Sequence, residues 1–342
     1  MDTKLSWTVG EYLSAAGRFL CKNTSANAMM AAMGARPKDA REVALSLFLE
    51  KHGAYYHPVR VVASRDNTSA TFVLNGAVSD RGLALMEKEV TLLAELSSGF
   101  DRPVIPEVYA WGRTSASPGT AGFFLGQWFR GFHEFHIAGR GDEVVIWRPG
   151  DTDLLLPLNG MLPAYENIAR ILTLAYDLDT GREIYPWHHA AGDFIVDPSS
   201  EDMPVRLITV RGFDNPSGMD MPDAGPYPGL LLFLLNLTLR MRLDRIDGVG
   251  KPVFLGDSVL NAALKGFYRG LGEKGSAKPG FLKGFTEFLR RFGEEQLLGI
   301  LIHIMEAWPP GASEEEIIRE NLACHCAKIS ALFNSRDILD FY

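Results

Sequence analysis

The residues best equipped for chemistry cluster in the middle of this 342-residue chain. In PWHHAAGDFIVD, the pair His188 and His189 precedes Asp193. A histidine titrates near neutrality and can serve as a general base. It is a poor ligand for Mg²⁺ and a good one for Zn²⁺, whereas an aspartate oxygen suits a hard cation. Further on, VRLITVRGFDN ends near Asp214, which supplies a second carboxylate if its loop folds back; the Asp-Asn-Pro that it opens is otherwise plain turn chemistry. His133 and His136 in HEFH, joined by the later pair, offer a metal site without the i,i+4 spacing of a zinc helix. Cys324-His325-Cys326 is too tight for a CxxC knuckle, and on a helix its sulfurs diverge, which points to core packing. No GxSxG elbow, Walker loop or GxGxxG before a helix occurs, so hydrolase, P-loop and dinucleotide-binding chemistries have nothing to rest on.

Elements must hold these residues in place. Residues 1–37 read as an irregular extension, and KDAREVALSLFLEKHG from Lys38 reads as a helix, with Ala40, Val43, Ala44, Leu47 and Phe48 on one face and Gly53 as its cap. HPVRVVASRDNTSATFVLNG has two β-rich runs around the turn residues 65–69, which is the pattern of a hairpin. LALMEKEVTLLAEL is an amphipathic helix at about 82–97, and PVIPEVYAWG and GFFLGQWFRG are two further strands. EVVIWRPG reads as a strand and LLLPLNGMLP as a connector. Beyond Ala164 the pattern is helical, interrupted by the extended runs GDFIVD and VRLITV, and helices then occupy 229–245, 257–271, 280–306 and 313–333.

Composition narrows the classes. With 46% hydrophobic and 22% charged residues the chain has the make-up of a soluble globular protein. Thirty-four basic against 42 acidic side chains, net −8, argue against a broad nucleic-acid footprint. The Leu230–Leu239 run is too short for a bilayer and reads as a buried helix. Three cysteines and a start without a basic-then-apolar leader make a reducing cytoplasm the default. Neither a nucleic-acid nor a membrane partner is expected.

The order of elements resembles the protein-kinase-like superfamily over roughly residues 53–305, and within it the branch of aminoglycoside phosphotransferases, choline kinases and fructosamine kinases. TFVLNG followed by LALMEKEVTLLAEL is similar to the strand and helix that carry the family's lysine and glutamate. VIPEVYAWG and FFLGQWF look like the next strand and the hinge, and PWHHAAGDFIVD with VRLITVRGFDN like the catalytic loop and the metal-binding strand. The resemblance implies an α+β, bilobal fold: an extension and helix over 1–52, a small antiparallel sheet lobe over 53–130 and a mainly helical lobe over 131–342.

That resemblance places Asn75 where the family has its lysine, Glu89 at the helix glutamate and Gln127 and Trp128 at the hinge. It places His188 at the catalytic aspartate, Asp193 at the metal-binding asparagine and Thr209 at the metal-binding aspartate. Asn75 cannot neutralise a phosphate, Thr209 is a poor Mg²⁺ ligand, and no glycine lies between Gly53 and Gly76 to cover phosphates. The plainer readings are that Asn75 is a turn residue, that Glu89 faces water, and that His188, His189 and Trp187 pack a loop. Two functions are therefore expected in order. The first is a pseudoenzyme that binds a small molecule or protein partner in its interlobe cleft and needs no cofactor. The second is a divergent phosphotransferase acting on a small-molecule hydroxyl or amine, using His188, Asp193 and Asp214 with ATP and Mg²⁺ or Mn²⁺ held by the two aspartates.

Overall fold

The hairpin expected within residues 57–76 is present and forms the middle of a larger sheet. The structure is a computed structural model that describes residues 7–36, 43–50, 56–100, 103–187, 190–216, 225–274 and 280–335. It divides into two units, Met1–Arg130 and Gly131–Tyr342. In the first unit β1 (Ala44–Leu49), β2 (Val59–Arg65), β3 (Thr68–Ala77), β4 (Val108–Ser115) and β5 (Thr120–Gln127) make one antiparallel sheet in the order β1-β2-β3-β5-β4. Helix α3 (Asp80–Ser97) joins β3 to β4. Ser79 caps it, its hydroxyl accepting the Gly82 N–H at 3.1 Å.

Two expectations for the N-terminal residues fail here. Residues 44–49 are a strand and not part of a helix, paired with β2 from Ala44↔Ser64 to Leu49↔Val59. Leu45, Leu47 and Leu49 alternate onto one face and pack against the core, a period of two that the helical count passed over. The cap assigned to Gly53 lies outside the described residues. The extension is in fact helical: α1 (Val9–Leu20) and α2 (Asn23–Ala32) precede the sheet. α1 opens with a reciprocal cap, Thr8 Oγ1 accepting the Glu11 N–H at 3.2 Å and the Glu11 carboxylate accepting the Thr8 N–H at 2.8 Å. Tyr12, Ala15, Ala16 and Phe19 then share one buried face, with Tyr12 and Phe19 5.5 and 5.6 Å from the Phe123 ring of β5. Gly76 on β3 is a glycine for this reason, since a Cβ there would run into the Tyr12 hydroxyl.

The second unit opens with an antiparallel three-stranded sheet of β6 (Phe135–Ala138), β7 (Glu143–Ile146) and β8 (Leu154–Pro157), so part of the expected connector is a strand. Helix α4 (Leu162–Ala175) follows, then β9 (Glu183–Ile184), β10 (Phe194–Val196), β11 (Val205–Leu207) and β12 (Phe213–Asp214), paired β10 with β11 and β9 with β12. The rest is mainly helical: α5 (Pro226–Arg240), α6 (Asp257–Glu273), α7 (Phe281–Leu289), α8 (Glu294–Ala307) and α9 (Ala312–Asn334), with the short pair β13 (Leu243–Arg245) and β14 (Pro252–Phe254) after α5. The helix expected over 280–306 is two helices, broken before Gly293. α6 lies so close to α4 that a Cβ on Gly266 or Gly270 would collide with the carbonyl of Glu166 or Arg170. The α+β class, with an antiparallel sheet first and a mainly helical part second, is the order the kinase-like resemblance implies. Among the described residues no helix is long and apolar enough to cross a membrane.

In the Cys-His-Cys stretch on α9, the histidine carries the structural role. His325 is fully buried and its Nδ1 lies 3.2 Å from Arg242 Nη1, so that nitrogen accepts and the ring is neutral. Burial, then the Arg242 charge, hold its pKa down to about 3. Burial likewise pushes the Cys326 thiol up to about 11, leaving it a poor nucleophile. The unfolded chain takes up this proton near the ordinary histidine value of 6.5 and the folded chain does not, so stability is complete above 6.5 and declines as the pH falls towards 3. We expect wild type to lose about 2 kcal/mol more than His325→Phe between pH 7 and 5, measured by urea unfolding. Parallel losses in the two proteins would place the acid sensitivity elsewhere.

Candidate functional site

The residues singled out by type and spacing fall into two groups, one in each unit. In the sheet unit, Asn75 lies within β3 opposite Phe124 of β5, half-buried, and is therefore a strand residue and not a turn. Glu89 lies on the inward face of α3 with Met86, Val90 and Leu93; at 2% exposure it does not face water, and it is engaged by neighbouring groups. Gln127 closes β5, its backbone N–H donating to Glu107 O at 2.9 Å, and Trp128 beside it is half-buried. Asn75, Glu89 and Gln127 thus lie on a strand, on a helix and at a strand end of one unit.

In the helical unit, residues 190–193 form one kinked turn that delivers Asp193 to the start of β10. The kink needs Gly192, whose φ of +88° is the left-handed region that residues with a Cβ avoid. β10 and β11 form a short antiparallel ladder, and just beyond it the Ile208 N–H donates to Asp193 O at 2.9 Å. Thr209 is the next residue along the chain, one position from that contact.

The acidic group at this point is committed. Asp193 is 3% exposed, and Arg211, two residues after Thr209, grips its carboxylate with both guanidinium nitrogens: Nη1 to Oδ2 at 2.8 Å and Nη2 to Oδ1 at 2.7 Å. A planar guanidinium matches a carboxylate in this two-pronged geometry, the strongest form of the contact. Arg211 was within the motif on view in the sequence. Nothing in its spacing along the chain marks it as the partner of Asp193.

Asp214 does not join this cluster through its strand. It is exposed on β12, opposite Glu183 of β9. His188 and His189 lie outside the described residues. Trp187, next to them, is buried. His133 uses its backbone to bridge Val196, at 2.8 and 2.9 Å. The His136 ring lies 4.6 Å from Trp147, and its Nδ1 is 3.7 Å from the buried Asp244. Among the described residues no three metal-ligating side chains come together.

A second feature escaped sequence reasoning altogether. Glu183 is buried at 3% exposure, and burial, opposed by the nearby Arg240 charge, pushes its pKa up to about 8. Arg240, itself buried, donates to Asn236 Oδ1 at 2.8 Å, to the Tyr185 hydroxyl at 2.9 Å and to Trp308 O at 3.1 Å. Nothing local distinguishes Glu183 from a surface glutamate; only the packing of α4 and β12 against β9 does.

No protein-family model matches the chain, and no curated protein matches it. Among solved structures, the crystal structure of Rad53 1-466 in complex with AMP-PNP is similar over 71% of this chain at 12% identity, with a TM-score of 0.34. The chain spans 57% of the length of that one.

Proposed function

We propose that this protein is a kinase-like pseudoenzyme of the cytoplasm, which binds a small molecule or a protein partner without ordinary ATP-Mg²⁺ phosphoryl transfer. The observation that carries the reading is the Asp193–Arg211 pair. Phosphoryl transfer requires a hard cation held by carboxylates and neutralisation of phosphate charge. Here the buried carboxylate at the strand entry already meets a cation belonging to the chain, and its neighbour Thr209 brings a hydroxyl in place of a second carboxylate. A divalent cation fits this donor set poorly, because it would have to displace or sit against a guanidinium. In the sheet unit, Asn75 offers hydrogen bonds where a triphosphate needs positive charge.

Isothermal titration with ATP and Mg²⁺ or Mn²⁺ is expected to give binding no tighter than about 1 mM, and a hydrolysis assay no turnover above a blank. Tight metal-dependent binding, with turnover abolished by His188→Ala, Asp193→Ala and Asp214→Ala, would overturn the reading. That result would establish the divergent phosphotransferase in its place, with a small-molecule hydroxyl or amine as acceptor.

A further inference from the structure

The start of α9 carries an exposed hydroxyl held by a guanidinium. Ser313, the second residue of that helix, faces solvent, and its Oγ accepts a hydrogen bond from Arg245 Nη2 of β13 at 2.7 Å. The same nitrogen donates to Glu314 Oε1 at 2.9 Å, and Nη1 donates at 3.2 Å to the carbonyl of Gly250, in the turn between β13 and β14. Arg245 thus ties the turn of one hairpin to the first residues of α9. One of its contacts is a neutral hydroxyl, which holds a guanidinium less strongly than an anion does.

Sequence and accessibility single out this hydroxyl. Ser313 is followed by Glu314, Glu315 and Glu316. Glu314 is buried with its carboxylate on Arg245, whereas the Glu315 side chain is 42% exposed and Glu316 faces solvent. The chain enters the helix through Pro309, Pro310 and Gly311, and neither proline can donate a backbone hydrogen bond. The first turn closes on Gly311 O, which accepts from the N–H of Glu314 at 2.8 Å and of Glu315 at 3.0 Å. A helix end closed on one carbonyl opens at little cost, and the opened segment can lie extended in the groove of an enzyme. A protein kinase with a basic groove selects a serine by the carboxylates that follow it, through charge complementarity.

We infer that Ser313 is a phosphorylation site for a separate protein kinase with a basic substrate groove, and that Arg245 receives the phosphate. In this step Ser313 Oγ attacks the γ-phosphorus of a nucleoside triphosphate held by that kinase, the bridging oxygen leaves with the nucleoside diphosphate, and the hydroxyl proton passes to the kinase's base. The product puts a group of charge about −2 beside Arg245 where a hydroxyl stood, so the tie between β13 and the start of α9 becomes charge-assisted. Glu314 and Glu315 repel that group, and Arg245 opposes them. The modification therefore acts on the hairpin turn and on α9 through one side chain.

The test incubates the full chain with ATP, Mg²⁺ and a purified acidophilic serine/threonine kinase, locates the phosphate by mass spectrometry and follows its ³¹P signal with pH. Incorporation is expected at Ser313 and should be absent from Ser313→Ala. Glu316→Gln, which removes an exposed carboxylate one turn further on, should slow it about tenfold. A free phosphoserine loses its second proton at about pH 6. The Arg245 charge should bring that midpoint about half a unit lower in the wild type than in Arg245→Met, and Arg245→Lys, which keeps the charge, should fall between them. No incorporation at Ser313 of the folded protein, a rate unchanged in Glu316→Gln, or the same ³¹P midpoint with and without the Arg245 charge would overturn the assignment. The kinase is supplied from outside, so the outcome is independent of the reading of the Asp193 site.

Discussion

Replacing Arg211 by methionine should destabilise the protein by about 3 kcal/mol in urea unfolding at pH 7, since removing one partner of a buried ion pair strands the other. Asp193 keeps 3% of its surface exposed and loses two charge-assisted hydrogen bonds at once. Water can restore part of the loss, because the Arg211 side chain is 29% exposed, which sets the figure at the lower end for such pairs. Asp193→Asn removes the charge that needs the guanidinium, so the double variant Asp193→Asn, Arg211→Met should cost less than the sum of the singles by at least about 1 kcal/mol. Additive losses, or an Arg211→Met variant within about 0.5 kcal/mol of wild type, would show that the pair does not hold the turn together. Asp193 would then be available to a ligand, a metal ion included.

Glu183→Gln should do the opposite and stabilise the protein, increasingly so as the pH rises. In the folded chain Glu183 keeps its proton to about pH 8, whereas in the unfolded chain it releases it near 4.5. The folded state therefore binds the extra proton; its stability is complete below 4.5 and is lost progressively as the pH rises to 8. At pH 7 the interval of 2.5 units above 4.5 amounts to roughly 3 kcal/mol favouring the unfolded chain, at 1.36 kcal/mol per unit. Glutamine cannot ionise in either state. Its gain over wild type should be near zero at pH 4, approach 3 kcal/mol at pH 7 and level off above pH 8, less any cost of hydrogen-bonding its amide. Thermal or urea unfolding across that range measures it. A gain independent of pH, or a loss at pH 8, would mean that Glu183 is ionised in the fold and paired.

Much of the architecture was legible because it is written in short-range patterns. Two β-rich runs around a polar turn specified the β2–β3 hairpin, the apolar stripe Leu85, Met86, Val90, Leu93 and Leu96 specified α3, and the apolar run Leu230–Leu239 specified a buried α5. Where local signals conflict, tertiary contacts decided. ALSLFL supports either periodicity, and it is the free edge of β2, with its row of unpaired backbone groups, that makes a strand the lower-energy choice for residues 44–49. The cap Thr8-x-x-Glu11 was passed over in reading residues 1–37 as irregular, because the apolar face behind it, so rich in alanine, gains its stability from Phe123 and the sheet.

The same division runs through the chemistry. Residue types alone determined that Asn75 and Thr209 bring no charge, because charge is a property of the side chain wherever it lies. Which groups are spent on one another only the tertiary structure decided. The Asp193–Arg211 grip forms because the β10–β11 ladder brings two segments, far apart along the chain, into register. Glu183 holds its proton and His325 refuses one because α4 and β12 pack on the first and β14 and α8 on the helix of the second, and burial penalises charge by an amount that no stretch of sequence around either residue reveals.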